Sequence, residues 1–130
     1  MSDATGRLER YLSDELGECH DEDLEERLAE LESLDEEVDE SALDRDVAVL
    51  SALANETRYR IVRLLVTADE ELCVCELSPL LDVSQSAISH ALSQLHDAGL
   101  VTREKKGKWR KYEPTRRAIT LVSALDGTRR

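Results

Sequence analysis

The stretch that decides the fold is Val83–Val101, VSQSAISHALSQLHDAGLV, followed by the basic run Thr102–Tyr112, TREKKGKWRKY. Ser84 is an N-cap candidate, because its hydroxyl can accept a free N–H group of the first helical turn. Gly99 is placed to end the helix, since glycine enters the left-handed conformation without steric cost. Between them, apolar residues recur at helical spacing and form one stripe: Ile88, Ala91, Leu92 and Leu95. The pattern predicts an amphipathic helix between Ser84 and Gly99.

The other face of this helix is polar and carries no carboxylate, in a chain with 29 acidic residues. Its members are Gln85, Ser86, Ser89, His90, Ser93 and Gln94. Hydroxyl and amide groups donate and accept hydrogen bonds, which suits base edges and phosphates, whereas an acid would repel DNA. We therefore predict that this face, together with Ser84, contacts double-stranded DNA.

The basic run predicts a β-hairpin. Strands Val101–Lys105 and Lys108–Tyr112 flank Lys106-Gly107, which fits a two-residue turn with glycine where positive φ is easy. Its predicted phosphate contacts are Arg103, Lys105, Lys106, Lys108, Arg110 and Lys111. A helix for the major groove followed by such a hairpin is typical of a winged helix-turn-helix. The predicted fold class is mainly α with a β-hairpin wing, preceded by a helical acidic N-terminal extension.

Charge divides the chain into two parts. Residues 1–46 hold 19 acidic and 4 basic residues, whereas residues 47–130 hold 10 acidic and 13 basic ones. The second part suits nucleic acid and the first repels it. We predict an acidic helical extension and linker over residues 1–41, with the linker at Glu36–Ser41, and a DNA-binding and dimerisation domain over residues 42–130.

The role of the extension has several interpretations. Its narrow apolar stripes favour helices that pack on the domain or on a second subunit. One alternative is an acidic tail that is ordered only in part. Two others are a protein-interaction module and an internal DNA mimic that covers the basic wing.

The composition also bears on the cellular setting. Abundant acids, four lysines against thirteen arginines and no phenylalanine resemble proteins of halophilic organisms with molar internal salt, although a mesophilic acidic protein is the alternative. At molar salt the Debye length is about 3 Å, so counterion release would contribute little to DNA affinity. No apolar run approaches the roughly 20 residues that cross a bilayer. The first 17 residues also lack a signal peptide's apolar region. We expect a cytoplasmic protein with no membrane partner.

Four motifs follow one another at compatible spacing within roughly residues 47–125. They are LANETRYRI at Leu53–Ile61, ELCVCEL at Glu71–Leu77, SQSAISHAL at Ser84–Leu92 and AGLV at Ala98–Val101. Together they resemble the ArsR/SmtB family of metal-responsive repressors. The resemblance implies a homodimer, formed by the first and last helices of the domain, on an inverted-repeat operator. It also implies that effector binding at the ELCVCEL segment, which looks like the family's metal box, releases the DNA.

Cys73-Val74-Cys75 is the candidate effector site, because thiolates are soft ligands that select thiophilic ions. We predict a short helix from Cys73 to Leu81. Residues i and i+2 of a regular helix point about 200° apart, so both sulfurs reach one ion only if the helix end unwinds. Unwinding would distort the first helix of the helix-turn-helix, shift the DNA-reading helix and lower DNA affinity. The structural alternative is two small buried hydrophobic residues.

Two sulfurs do not complete a coordination sphere, since arsenite takes three thiolates and Cd(II) or Zn(II) takes four nitrogen or sulfur ligands. Cys19 and His20 are the candidate additional ligands, because some cadmium- and lead-sensing relatives supply cysteines from such an extension. The preferred effectors are As(III) and Sb(III), with Cd(II), Pb(II) and Zn(II) as alternatives. A thiol redox switch at the same pair is the rival interpretation.

Three cysteines, two of them one residue apart, do not form a disulfide framework, so a reducing compartment is expected. Nucleophilic triads, phosphate-cradling glycine loops and paired carboxylates cannot be placed in the sequence. We therefore predict a DNA-binding regulator and not an enzyme.

Overall fold

The computed structural model describes residues 2–129 and shows two compact units, one up to Leu43 and one from Asp44 onward. The helices are α1 (Ser2–Leu16), α2 (Asp21–Glu37), α3 (Glu40–Leu53), α4 (Glu56–Ala68), α5 (Val74–Leu77), α6 (Gln85–Asp97) and α7 (Arg116–Gly127). The strands are β1 (Leu72–Cys73), β2 (Val101–Lys106) and β3 (Trp109–Pro114), and a 3-10 helix spans Ser78–Leu80. The predicted fold class, a mainly α winged helix-turn-helix, is confirmed.

The N-terminal unit contains a helical pair in which α1 packs on α2 and buries Leu12. Gly17 separates the two helices with a φ of 87°. α2 begins after His20, whose backbone N–H donates to Oδ2 of Asp23 at 3.0 Å. This contact satisfies a backbone donor at the helix start, which is where acidic side chains are favoured.

The break between α2 and α3 lies within the predicted linker Glu36–Ser41 but is shorter than predicted. α2 continues to Glu37 and α3 begins at Glu40, so only Val38 and Asp39 lie between these helices. The carboxylate of Asp39 accepts the backbone N–H of Ser41 at 3.0 Å and so supports the first turn of α3. The charged run is therefore mostly helical, and Asp39 and Glu40 lie at the start of α3, where acidic side chains are stabilising.

The core of the second unit lies between α4, α6 and α7 and the base of the sheet. Its fully buried members are Ile61, Val62, Leu65, Leu77, Ile88, Leu92, Leu95, Leu100 and Ala118. Side-chain caps start the helices around it: Asn55 accepts the N–H of Arg58 at 3.0 Å, and Ser84 Oγ accepts the N–H of Ala87 at 3.1 Å. Gly99, at φ 73°, follows the end of α6. The stripe, cap and stop predicted for α6 are confirmed.

The sheet has a third strand that the sequence did not predict. The strand order is β1-β3-β2, and β1 pairs antiparallel with β3, with Leu72 opposite Tyr112 and Cys73 opposite Lys111. The helix predicted from Cys73 to Leu81 is present as α5 and the 3-10 helix over Val74–Leu80, but its predicted start is wrong because Cys73 is extended. A two-residue strand is too short to show an alternating pattern, and only pairing with β3 defines it.

The turn of the hairpin lies one residue later than predicted. Lys106 pairs with Trp109, so Gly107-Lys108 forms the turn. Gly107 has a φ of 65° at the first turn position, as a type II′ turn requires. The predicted turn at Lys106-Gly107 would place Lys106 at the first turn position, where both type I′ and type II′ turns need positive φ, which is unfavourable for a residue with a Cβ atom.

Truncating Leu92 in the middle of the α6 stripe is expected to destabilise the domain strongly. The side chain is fully buried, and Leu→Ala at such a position costs about 2–5 kcal/mol. Urea denaturation followed by circular dichroism measures the change. Ser93→Ala, on the neighbouring exposed position, is the matched control and should stay within about 0.5 kcal/mol. Equal effects of the two substitutions would contradict the packing described.

Candidate nucleic-acid interface and cysteine site

α6 presents its polar face outward. The six side chains predicted to meet DNA are all exposed: Gln85, Ser86, Ser89, His90, Ser93 and Gln94. The capping residue Ser84 is exposed as well. The opposite face is anchored in the core, so the helix holds these side chains on a rigid support. Of the six predicted side chains, all except His90 carry a hydroxyl or amide group, which can donate to and accept from base edges.

The wing places three cations together. Opposite residues of an antiparallel pair project to the same side, and Lys105 lies directly opposite Arg110. Arg103 is two residues from Lys105 along β2 and so projects to that side too. All three side chains are exposed. This group, Arg103, Lys105 and Arg110, is called the cationic face of the wing below.

Two other lysines of the wing are paired within the protein. Lys106 Nζ forms an ion pair with Glu71, which holds the pKa of that lysine above its ordinary value. Lys111 Nζ lies 3.2 Å from Oε1 of Glu76. The six basic residues of the wing are therefore not equivalent, since two of them have carboxylate partners beside the cysteine segment. Lys108 lies at the turn, with Nζ 5.4 Å from the ring centroid of Trp109.

Glu76 connects the cysteine segment to the wing. Its Oε1 accepts the backbone N–H of Cys73 at 3.0 Å in addition to the contact with Lys111. The hydrogen bond from Cys73, and then the one from Lys111, lower the pKa of this carboxyl. The spacing of Cys73 and Glu76 is that of a capping pair, a signal that sequence reasoning missed. The partnership of Glu71 with Lys106 has no local signal, because 35 residues separate the two.

The structure brings the sulfurs of Cys73 and Cys75 together and joins them as a disulfide, with the two Cα atoms 5.3 Å apart. This is the oxidised form that the redox interpretation describes, and ion capture requires its reduction to two thiols. The geometric difficulty posed by a regular helix does not arise, because Cys73 belongs to β1 and only Cys75 is helical. Cys73 is 4% exposed whereas Cys75 is exposed. An approaching reagent or ion therefore meets Cys75 first.

Cys19 and His20 lie between α1 and α2. The Cys19 thiol is half-buried and donates to the carbonyl of His20 at 3.6 Å. His20 Nε2 is 3.1 Å from Oε1 of Glu18. Partial burial, followed by the charges of Asp23, Glu9 and Asp21, raises the pKa of the Cys19 thiol. The thiolate, which is the metal-binding form, is thus disfavoured at this position.

Among the described side chains, those of residues 4–129, no three His, Cys, Asp or Glu groups lie close enough together to hold a metal ion. The structure therefore assembles two of the four predicted ligands, Cys73 and Cys75. Two neighbouring sulfurs, once reduced, fit a thiophilic ion better than a hard one, and they leave the remaining coordination positions to other donors. The helices of the same residues are all too short or too polar to span a bilayer.

A helix face of exposed hydroxyl and amide groups beside a cationic wing defines a DNA-binding transcription regulator of the winged helix-turn-helix class. Residues 55–103 match the arsR family of bacterial regulatory proteins. The chain is 65% identical, over 127 residues and 98% of each sequence, to a Halobacterium salinarum protein named as an arsenical resistance operon repressor, ArsR. This protein belongs to the arsR family, as its motifs predicted, and it is a regulator and not an enzyme.

Solved structures agree with this assignment. HlyU from Vibrio cholerae superposes with a TM-score of 0.62 at 34% identity, covering 70% of this chain and 98% of that one. The homodimeric winged helix-turn-helix DNA-binding domain of a Mycobacterium bovis protein gives a TM-score of 0.58 at 26% identity, covering 67% and 79%. The fold is thus shared with regulators from distant bacteria.

Proposed function

We propose that this protein is a homodimeric repressor of an arsenical resistance operon, released from its operator when Cys73 and Cys75 capture As(III) or Sb(III). The observation that carries the proposal is the placement of the two sulfurs. They meet within bonding distance at the junction of β1 and α5, between the wing and the DNA-reading helix. The name of the Halobacterium salinarum relative supports the same effector class.

DNA binding is assigned to the exposed face of α6 and to the cationic face of the wing. Insertion of α6 into the major groove would set the hydroxyl and amide side chains against base edges. Lys105 and Arg110 lie directly opposite each other, an arrangement of like charges that is unfavourable in the free protein. A phosphate between the two side chains would relieve that repulsion. The pair is therefore better suited to bound DNA than to the free fold.

A homodimer is supported by apolar surface on the first and last helices of the domain. Val47 and Leu50 of α3 and Ile119 and Leu125 of α7 are exposed large apolar side chains. A cavity of about 480 Å³ opens between these helices and has an almost wholly apolar lining, which includes Leu50, Leu53, Leu121 and Leu125. Clustered exposed apolar residues of this kind mark protein interfaces. A second copy would also supply the second α6 that an inverted repeat requires.

Leu50→Glu is expected to shift the protein from dimer to monomer and to weaken operator binding, because it buries a charge in the proposed interface. Leu80→Glu is the matched control: both leucines are 56% exposed, but Leu80 lies beside the turn before α6. Sedimentation velocity measures the oligomeric state of both variants. A dimeric Leu50→Glu protein, or a monomeric Leu80→Glu protein, would contradict the assignment of the interface.

Effector capture is coupled to DNA binding by two routes. Val74–Leu77 and Ser78–Leu80 lead directly to the turn before α6, so a change at Cys75 displaces the support of the reading helix. Cys73 is paired with Lys111 in the sheet and donates to Glu76, which also holds Lys111. A movement of Cys73 toward an ion therefore pulls on the wing. By linkage, DNA and effector weaken each other's binding by the same factor.

The test is release of a fluorescent operator, a duplex selected from a random-sequence pool, by the reduced protein. As(III), Sb(III), Cd(II), Pb(II) and Zn(II) are added in separate titrations. We expect As(III) and Sb(III) to lower DNA affinity by about 5- to 150-fold, the usual range of allosteric coupling. Cys19→Ser and His20→Ala, run beside wild type, decide the prediction that these residues complete the site. Affinity unchanged by all five ions would remove the effector proposal and leave DNA binding intact.

A second candidate function is a thiol redox switch, favoured by the disulfide between Cys73 and Cys75. In this alternative the two thiols pass two protons and two electrons to a disulfide such as oxidised glutathione, which becomes two molecules of glutathione. Operator affinity is then compared between reduced and oxidised protein in the presence of a chelator. A change with oxidation alone favours the redox switch, whereas a change that needs As(III) and reduced thiols favours ion capture.

A further inference from the structure

Arg58 makes three side-chain hydrogen bonds that connect three helices of the domain. Its Nε donates to the carbonyl of Ala52 at 2.6 Å, and its Nη2 donates to that of Ser51 at 3.3 Å, both in the last turn of α3. Its Nη1 donates to Oε1 of Gln94 in α6 at 3.1 Å. Arg58 itself lies in the first turn of α4. The guanidinium is thus held between α3 and the reading helix.

The two carbonyls at the end of α3 fix the orientation of this guanidinium. The last carbonyls of a helix lack intrahelical partners and need other donors. The guanidinium donates to the carbonyl of Ala52 and shares that of Ser51 with the backbone N–H of Ala54, so this planar group has little freedom to rotate. Arg58 is also half-buried, so it is shielded in part from competing water. Its third contact, to Gln94, therefore has a defined direction.

The contact with Arg58 decides which end of the Gln94 amide faces outward. A guanidinium only donates, so the acceptor Oε1 must face Arg58, and the amide nitrogen of Gln94 must point away from it. Gln94 is exposed on the face that carries His90 and Ser86, one and two helical turns earlier. Toward DNA, Gln94 therefore offers N–H donors and no acceptor.

The position of Gln94 along α6 indicates what those donors meet. Gln94 lies nine residues after Gln85, about 14 Å further along the helix. Base edges are contacted mainly by the first residues of a reading helix, whereas later residues approach the sugar-phosphate backbone. Asp97 lines the same groove as Arg58 and Gln94. Its carboxylate would repel a phosphate, so the phosphate must lie on the side of Gln94 that faces away from Asp97.

We propose that Arg58 is a positioning residue that fixes Gln94 as a donor-only contact to a phosphate oxygen of the operator. The proposal rests on the DNA binding proposed above and adds the hydrogen-bond polarity of one contact. Arg58 acts through Gln94 and does not itself meet the DNA.

Three substitutions of exposed Gln94 test the polarity of the contact with little risk to the fold. Gln94→Met removes the donors and is expected to lower operator affinity by about 100-fold or more, because each of the two protomers loses a hydrogen bond to a charged group. Gln94→Glu still accepts from Arg58 but has no N–H and adds a negative charge, so its loss should be larger. Gln94→Lys keeps a donor and should bind as tightly as wild type. The losses should be the same for different operator sequences, as expected of a phosphate contact.

A double-mutant cycle tests the positioning role. Arg58→Met should weaken DNA binding several-fold when Gln94 is present, and by less than about twofold when Gln94 is already methionine. A purely structural role for Arg58, or a direct contact with DNA, would give the same loss in both backgrounds. Arg58→Lys keeps a donor and the charge, and it is the milder variant if Arg58→Met does not fold. When Gln94 is present, Arg58→Lys should lose less DNA affinity than Arg58→Met. When Gln94 is already methionine, the two variants of Arg58 should bind DNA equally.

The outcomes separate this inference from the proposed function. If wild type binds the selected duplex and all three Gln94 variants bind it as tightly as wild type, the inference is overturned and the proposed function stands. If Gln94→Glu binds as tightly as Gln94→Lys, the donor-only assignment is wrong. If wild type binds no duplex from the pool, the proposed function fails, and this inference fails with it.

Discussion

Replacing Cys73 and Cys75 together by serine is expected to abolish the response to As(III) and Sb(III) while operator binding stays within about threefold of wild type. Serine has nearly the same shape as cysteine, but its hydroxyl is a hard ligand that does not retain a thiophilic ion. Neither cysteine lies on the exposed face of α6 or on the cationic face of the wing, so the DNA contacts are unaffected. Fluorescence anisotropy with and without effector measures both quantities.

The single variants add direction to this prediction. Cys75 is exposed and Cys73 is buried, so Cys75→Ser should slow ion capture without destabilising the fold. Cys73→Ser should cost some stability as well, because it places a hydroxyl in the core beside β3. Ser78→Cys is an informative companion, since it adds a third thiol in the 3-10 helix after α5. If the doubly substituted protein still leaves its operator on addition of As(III), the cysteine site proposed here is wrong.

Neutralising the cationic face of the wing is expected to have the second large effect. Lys105→Gln combined with Arg110→Gln should lower operator affinity about 100- to 1,000-fold at low salt, because a dimer loses four cationic contacts to phosphate. The slope of log affinity against log salt should fall by about 3.6, which is 0.9 for each lost contact. The free protein should not be destabilised, since the substitutions remove two like charges that lie directly opposite each other.

A matched control separates this local effect from net charge. Arg7→Gln combined with Arg10→Gln makes the same change in charge at exposed positions in α1. Titrations between about 0.1 and 1 M KCl, with thermal melting of each variant, give affinity, slope and stability. Equal losses of affinity in the two double variants would show that overall charge, and not the wing, governs binding.

Sequence patterns predicted the helices of the DNA-reading part closely. The signals in α4 and α6 are local, since Asn55, Ser84 and Gly99 act within one helical turn of their positions and the apolar spacing of α6 is regular. The wing was predicted as a hairpin but one residue out of register. The local sequence predicted that Gly107 belongs to the turn. The position of Gly107 within the turn depends on the turn type, which the pairing of the two strands decides.

The cysteine segment shows where sequence reasoning ended. The predicted helix began at Cys73, whereas pairing with β3 draws this residue into the sheet. The assignment of all six wing cations to DNA likewise treated them as equivalent. Two of them, Lys106 and Lys111, pair with Glu71 and Glu76, each 35 residues away in the chain. No local sequence pattern predicts such pairs.

The sequence by itself determined the family, the polarity of the reading helix, the basic hairpin and the pair of neighbouring thiols. All of these depend on side-chain chemistry or on spacing within a few residues. Tertiary structure alone decided that the two sulfurs meet, that Glu76 joins Cys73 to Lys111, and that Arg58 orients Gln94. Each of those outcomes depends on strand pairing or helix packing between distant segments, and the free energy of such contacts is not written in any one segment.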